Sequence, residues 1–471
     1  MLTDIFPLLL ILPLLGCLFV LFAKKNDNNS FHVTLFTLLA NLAVIVRMLT
    51  QIKSENNDLQ AFHLSYSWLE SKGMALTMEA DLFSLLVLLG IYVAFIIGIT
   101  GLTPVQRKNK SQMLLGLYFV WNITGLICSN DMTSFYIFFA GMIIPLFLLV
   151  GLFGNIKKNS TLYLFFVFNF AGVLCLLTAM LFVYKYHQGN TELPNIALIK
   201  MPASAAMVVW GCVCTAFISR VPIWPFHYWI SSVNSGLRSS LVYVMTSMLP
   251  LTGLYGFMRF WQVTIPKGIL PFVPVVEIFG IMTMLFIALI GLAHKDFLQK
   301  LFSYTTVYYL LFLLTTIMLP EKYAINIAYS LVTFLIVNAS LTVLDLQAKK
   351  ACEENDCDYR GVLAYMPRLA AVFSFFVLVA VGLPLSAMFW NNFVLISAFF
   401  RISFTLGILM MTAITAISMA LLYELYILRN LTGRKNTNIE IEDMSERQIL
   451  FFMAVIVFLF VSFFNPLWFA F

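Results

Sequence analysis

Apolar residues in this chain do not alternate with polar ones. They run on for about twenty positions at a time, and short polar stretches separate the runs. A helix crosses the hydrocarbon core of a bilayer in about 20 residues. Measured with that ruler, the pattern predicts about fourteen spans, at 5–23, 32–50, 82–102, 111–129, 133–153, 161–184, 204–219, 238–258, 272–293, 301–319, 324–346, 369–396, 403–427 and 449–470. A membrane β-barrel would show short alternating strands instead. The first run has neither a basic start nor a small-residue cleavage site, so it is expected to be a retained helix. The fold class predicted is an all-α polytopic membrane protein.

Composition agrees. Of 471 residues, 61% are hydrophobic and only 11% charged, against about a quarter charged in a soluble protein. There is too little polar surface to coat a water-soluble globule and too little charge for a disordered chain. The lipid bilayer is the expected surrounding. The net charge of +6 marks cytoplasmic loops rather than affinity for nucleic acid. Five cysteines, Cys17, Cys128, Cys175, Cys212 and Cys214, lie in apolar runs as packing residues. Cys352 and Cys357 share a loop with Glu353, Glu354, Asp356 and Asp358, at a spacing that fits no usual zinc pattern. No metal or other cofactor is expected.

Loop charge orients the chain. With both termini outside, the inward loops collect about eighteen basic residues, Arg107, Arg220, Lys300 and Lys349 among them, against about eight outside. One outward segment, His63 to Ala80, alternates like a β-hairpin turned at Gly73. The inward loop near 347–367 is a solvated connector or a surface for a partner subunit.

Two spans carry backbone breakers at membrane depth. The seventh runs into Arg220-Val-Pro-Ile-Trp-Pro-Phe-His, where Pro222 and Pro225 remove two donors. The twelfth contains Gly382-Leu-Pro384, followed by Ser386, Asn391 and Asn392. Paired interruptions in two halves point to inverted five-helix repeats with a transport site at the breaks; two packing kinks are the plainer reading. The segments expected are 1–110 with the outer hairpin, 111–260 and 261–430 as the two repeats, and 431–471 with the last helix.

Ionisable groups within spans are candidates for an ion pathway. Arg220 is a pathway cation or snorkels to the surface. His227 is a proton shuttle or a structural histidine. Glu277, Glu424 and Asp345 lie in spans nine, thirteen and eleven, where an isolated carboxylate must be paired or neutralised. Tyr304, Thr305, Thr306, Tyr308 and Tyr309 hold a water chain or bond helix to helix. Nothing reads as a soluble catalytic site, and redox chemistry in the chain itself is not expected.

The segment from Arg220 to Trp229 resembles the seventh-helix signature of the antiporter-like subunits of respiratory complex I. Further similarities lie at Trp68 to Leu89, Asp131 to Pro145, Leu254 to Phe260, Lys300 to Thr306, Gly361 to Ala370, Gly382 to Pro384 and Asp443 to Gln448. The type most resembled is the M-like subunit of NADH-quinone oxidoreductase. Members of that family relay protons along a row of buried ionisable groups, as neighbours of other membrane subunits. Set against that pattern, this chain has Ala140 for the helix-five glutamate, Arg220 for the helix-seven lysine and Leu251 for the helix-eight lysine. Tyr309 stands for the helix-ten histidine and Asn392 for the helix-twelve glutamate or lysine. Ser231, Ser232 and Asn234 replace a proline, an aspartate and a histidine. Alanine and leucine hold no proton, asparagine does not titrate near neutrality, and arginine stays protonated where a buried lysine can shift.

Three functions follow from the resemblance. The first is a subunit of a complex I-like or Mrp-type proton- or cation-translocating assembly in the inner membrane, its central relay degenerate. The second is a non-pumping structural subunit. The third is the membrane partner of a large soluble or peripheral zinc protein that hydrates CO2.

Overall fold

The computed structural model describes residues 5–24, 28–54, 62–69, 74–153, 158–186, 201–227, 229, 233, 239–264, 273–319, 323–355, 359–384, 386–429 and 442–464. Each predicted run holds a helix. They are α1 (Phe6–Phe22), α2 (Asn29–Ser54), α3 (Leu82–Thr100), α4 (Lys110–Ile127), α5 (Met132–Phe153), α6 (Lys158–Tyr186), α7 (Ala203–Ile218), α8 (Ser240–Thr264), α9 (Val273–Ala293), α10 (Phe297–Met318) and α11 (Ala324–Asn355). The twelfth run forms two helices, α12 (Pro367–Val381) and α13 (Ala387–Ile402); α14 (Phe404–Arg429) and α15 (Glu446–Phe464) follow. Among the described residues nine helices are long and apolar enough to cross a membrane.

Burial sorts them. α3, α8, α10 and α11 are almost wholly buried, whereas α2, α6, α9 and α14 keep an open apolar face. Phe36, Tyr163, Met282, Leu289 and Met419 are exposed on those faces, as lipid contact requires. Packing then depends on shape and polar pairing, since lipid is as apolar as leucine. Gly90 shows the first: a Cβ there would lie 2.9 Å from Cα of Val332, so α3 and α11 meet backbone to backbone.

The hairpin pairs β1 (Phe62–Leu69) with β2 (Met74–Ala80), antiparallel, from Phe62 opposite Ala80. Its turn at Gly73 lies outside the described residues. Asp131 anchors it: its carboxylate caps α5 at the Ser134 N–H (2.7 Å) and accepts the Thr77 N–H from β2 (2.9 Å). Capping leaves fewer orphan donors at a helix start.

Both predicted breaks are present. α7 ends at Ile218 and turns occupy most of 219–227. α12 ends at Gly382, whose φ of +98° is open to glycine, and Ser386 caps α13 through the Phe389 N–H at 3.2 Å. Proline alone does not decide this, because Pro13 and Pro250 lie inside helices that continue through them. Asp356, Cys357 and Asp358, with Ser231, Ser232 and Asn234, lie outside the described residues.

Candidate functional site

Arg220 sits just past α7 and is completely buried, so the snorkelling alternative fails. Its guanidinium donates to Oγ1 of Thr252 at 2.8 Å and to the Phe139 carbonyl, and lies 3.4 Å from the centre of the Phe139 ring. Met142 Sδ is 3.6 Å away. No carboxylate pairs with Arg220 among the described residues; a backbone oxygen, a hydroxyl and an aromatic face hold the charge. From α5 the side chains reaching it are Phe139 and Met142, while Ala140 is half-buried. Leu251, next to Thr252, is buried and apolar.

Past Pro222, Trp224 stacks on Phe279 of α9 at 5.8 Å and donates its backbone N–H to Thr283. His227 is half-buried, edge-on to Phe286, and its Nδ1 has no hydrogen-bond partner. Glu277 lies half-buried on α9 between exposed Val275 and Ile278. The structure brings neither residue to the other candidates.

Those others gather around α10. Its residues Lys300, Tyr304 and Tyr308 are four apart and share one face. Tyr308 accepts the Asn392 amide N–H at 2.8 Å, and Asn392 lies on α13 just after the break. Tyr304 packs on Tyr308 with ring centres 4.7 Å apart, yet its hydroxyl has no partner. Tyr309 points elsewhere and donates to the Ser247 carbonyl at 2.9 Å. Tyr309 acts here as a helix-to-helix bond between α10 and α8.

At the start of α10, Lys300 and Glu424 form an ion pair at 2.6 Å, with side chains only 2% and 3% exposed. Reading Lys300 as a loop residue was wrong: it is on the first turn of α10, under Tyr423 and against α14. Lys349, expected in a loop, likewise belongs to α11. It bridges Asp296 at 2.6 Å and Asp345 at 3.0 Å, and Asp345, fully buried, also accepts the Tyr359 hydroxyl. Burial first, then the charges of Asp345, Asp296 and Glu424, push the Tyr359 hydroxyl well above its ordinary range. The Tyr359 hydroxyl thus lies within the field of carboxylates from both ion-pair groups. The Gly361 N–H donates to the Ile427 carbonyl at 3.2 Å and ties this turn to α14. In the loop before α10, burial pushes the His294 imidazole below its ordinary value, with the Lys300 charge in the same direction, against Gln299 and Asp296.

Lys300, Lys349 and Tyr359 are the members that sequence reading missed. A lysine at a helix start reads as solvent-facing, and its partner lies 124 positions away. A usable signal was present in Glu424, since a carboxylate in an apolar run needs a cation.

Residues 129–418 match the family described as NADH:quinone oxidoreductase/Mrp antiporter, TM. NADH-ubiquinone oxidoreductase chain 4 of Marchantia polymorpha is 25% identical, over 95% of this chain and 91% of that protein. NADH-quinone oxidoreductase subunit M of Rickettsia prowazekii is 23% identical, over 94% and 91%. A chain of respiratory complex I from Thermus thermophilus superposes with a TM-score of 0.86 at 20% identity, covering 100% of this chain and 97% of that one. A matched segment of that extent, on a backbone alike from end to end, settles membership: the chain is a multi-pass membrane protein of the NADH:quinone oxidoreductase/Mrp antiporter family.

Proposed function

We propose that the chain serves as a membrane subunit of a multi-subunit, proton- or cation-translocating assembly, and that its first half no longer carries the ion. The names of its relatives, an oxidoreductase chain 4 and a subunit M, support the assembly. The carrying observation for the rest is Arg220. Among the described residues its guanidinium is held by Thr252, Phe139 and Met142, with no carboxylate paired to it and no titrating neighbour to exchange a proton with.

In this reading the halves are inverted repeats, 111–260 and 261–430, with segments 1–110 and 431–471 flanking them. The breaks at Pro222 and Pro225 and at Gly382 and Pro384 support that division. The loop charges support an inner-membrane protein with both termini outside. Arg220, His227, Tyr309, Glu277 and Asn392 then serve positions or packing, and the titrating groups left at depth are those around α10. A purely structural subunit is the second reading, and the same lost relay favours it.

The test is purification from native membranes through a tag on this chain. A fixed stoichiometry with other membrane subunits, and proton uptake by the reconstituted complex, are expected. Recovery of the chain alone contradicts the assembly, and a complex that moves no ions leaves the structural role.

A further inference from the structure

Resting on that reading, we propose that the Lys300–Glu424 pair is a proton-loading site, filled from the end of the bundle that carries Asp296, Lys349, Asp345 and Tyr359. It would discharge along Tyr304 and Tyr308 toward Asn392.

Three observations carry it. The pair bridges α10 and α14 at 2.6 Å with both side chains buried, and a buried pair adds little stability over a well-packed apolar one. Ionisable groups kept at that cost inside a membrane protein mark ion paths. Secondly, two buried polar atoms on the packed helices α10 and α11 have no partner. Tyr304 lies one turn further on the same face, and a helical side chain leans back toward the N-terminus, here toward Lys300. Its buried hydroxyl is unpaired. Phe334 of α11 packs on both Tyr304 and Tyr308. Because α11 runs opposite to α10, Asn338, one turn beyond Phe334, comes level with Tyr304, and its buried Oδ1 is unpaired too. Two orphaned polar atoms at one level suit a bridging water, which needs at least two partners. Thirdly, the column ends in a bond: Tyr308 accepts from Asn392 at the α12–α13 break.

The proton balance closes within these groups and water. A hydrated proton from the inner side adds to Oε2 of Glu424, forming an O–H bond. Lys300 is then without its counter-charge, its N–H bond breaks, and that proton passes to water at Tyr304. Transfer of the Glu424 proton to Nζ restores the ion pair. The groups next to the pair are Tyr423 on α14, His294 in the preceding loop and Tyr359 in the turn after α11, and Tyr359 bonds in turn to Asp345, which with Asp296 is paired to Lys349.

The experiment is an infrared pH titration, in lipid nanodiscs, of the complex isolated through this chain. A protonated-carboxyl band that is present in wild type and missing from E424Q is expected. In Y304F the same band should persist but exchange with deuterium about tenfold or more slower, as loss of a proton-transfer partner requires. If no band depends on Glu424 in wild type, the pair is a static ion pair and the proposal is overturned. An unchanged exchange rate in Y304F overturns the route. Should E424Q fail to assemble, K300R decides: it keeps the ion pair but cannot release a proton, so wild-type exchange in K300R refutes the site. Because the band reads the chain directly, a complex that pumps nothing would sink the wider function without obscuring this result.

Discussion

Nζ of Lys300 lies 2.6 Å from Oε2 of Glu424, which ties the first turn of α10 to the last turns of α14 with both charges out of contact with solvent. Removing one partner strands the other. E424A should therefore lose about 3–5 kcal/mol of stability, visible as a lower unfolding midpoint in detergent. The double variant K300M/E424M should recover most of it, because an apolar pair of similar volume needs no counter-charge. A single variant as stable as wild type would show that water already screens the pair.

Glycine geometry offers a second check. The φ of +98° at Gly382 strains any side chain, although a Cβ there would meet nothing closer than 3.7 Å. G382A should cost about 1–3 kcal/mol through the backbone alone. G90A should cost a similar amount, about 1–3 kcal/mol, for the opposite reason: ordinary backbone, but α11 in the way. Truncating Val332 to alanine should not relieve G90A in thermal denaturation, because the atom in the way is the Val332 Cα at 2.9 Å, which every residue keeps.

At the head of α3, Asp81 pairs with Arg259 at 2.7 Å and accepts the Ser84 N–H at 2.8 Å. Burial raises its carboxyl, but the Arg259 charge and the Ser84 and Arg259 hydrogen bonds outweigh it, and the net value is below the ordinary one. A depressed folded value means the stabilisation is present above the unfolded carboxyl, about pH 3.9, and is lost as pH falls through the folded value. D81N should be less stable than wild type at neutral pH, and the gap should close in strong acid. A gap independent of pH would assign the loss to packing.

Tyr309 is expected to matter for stability and not for transport. Y309F removes the buried hydroxyl-to-carbonyl bond that ties α10 to α8 at Ser247, at a cost of about 0.5–1.5 kcal/mol. Faster amide exchange in the middle of α8 with unaltered ion flux is the expected pattern. Lost flux at full stability would return Tyr309 to the pathway.

Much of this architecture was written in the hydrophobic pattern. Long apolar runs define helices without tertiary help, and Gly382 with Pro384 marked a break that the backbone makes. Prolines were less decisive. Pro222 accompanies an interruption, yet Pro250 does not, because tertiary packing carries α8 through it. The site was legible in part. Glu424 and Asp345 stood out as carboxylates in apolar runs, and the loss of a partner for Arg220 could be read from Ala140. The identity of their real neighbours could not. Whether a lysine at a helix start faces water or another helix depends on which element packs there, and α14 lies far from α10 in sequence. For the same reason Arg220 looked free to reach the surface, although the fold closes Phe139, Met142 and Thr252 around it.

The most direct measurement is proton uptake by proteoliposomes holding the complete assembly with R220M in place of the native chain. Methionine removes the charge and keeps an apolar body among Phe139, Met142 and Thr252. Uptake equal to wild type is expected, because a proton path that avoids the first half does not pass Arg220. A fall of about tenfold or more, equivalent to at least about 1.4 kcal/mol on the barrier, in an assembly of unchanged composition would place Arg220 back in the path and contradict the loss of the first-half relay.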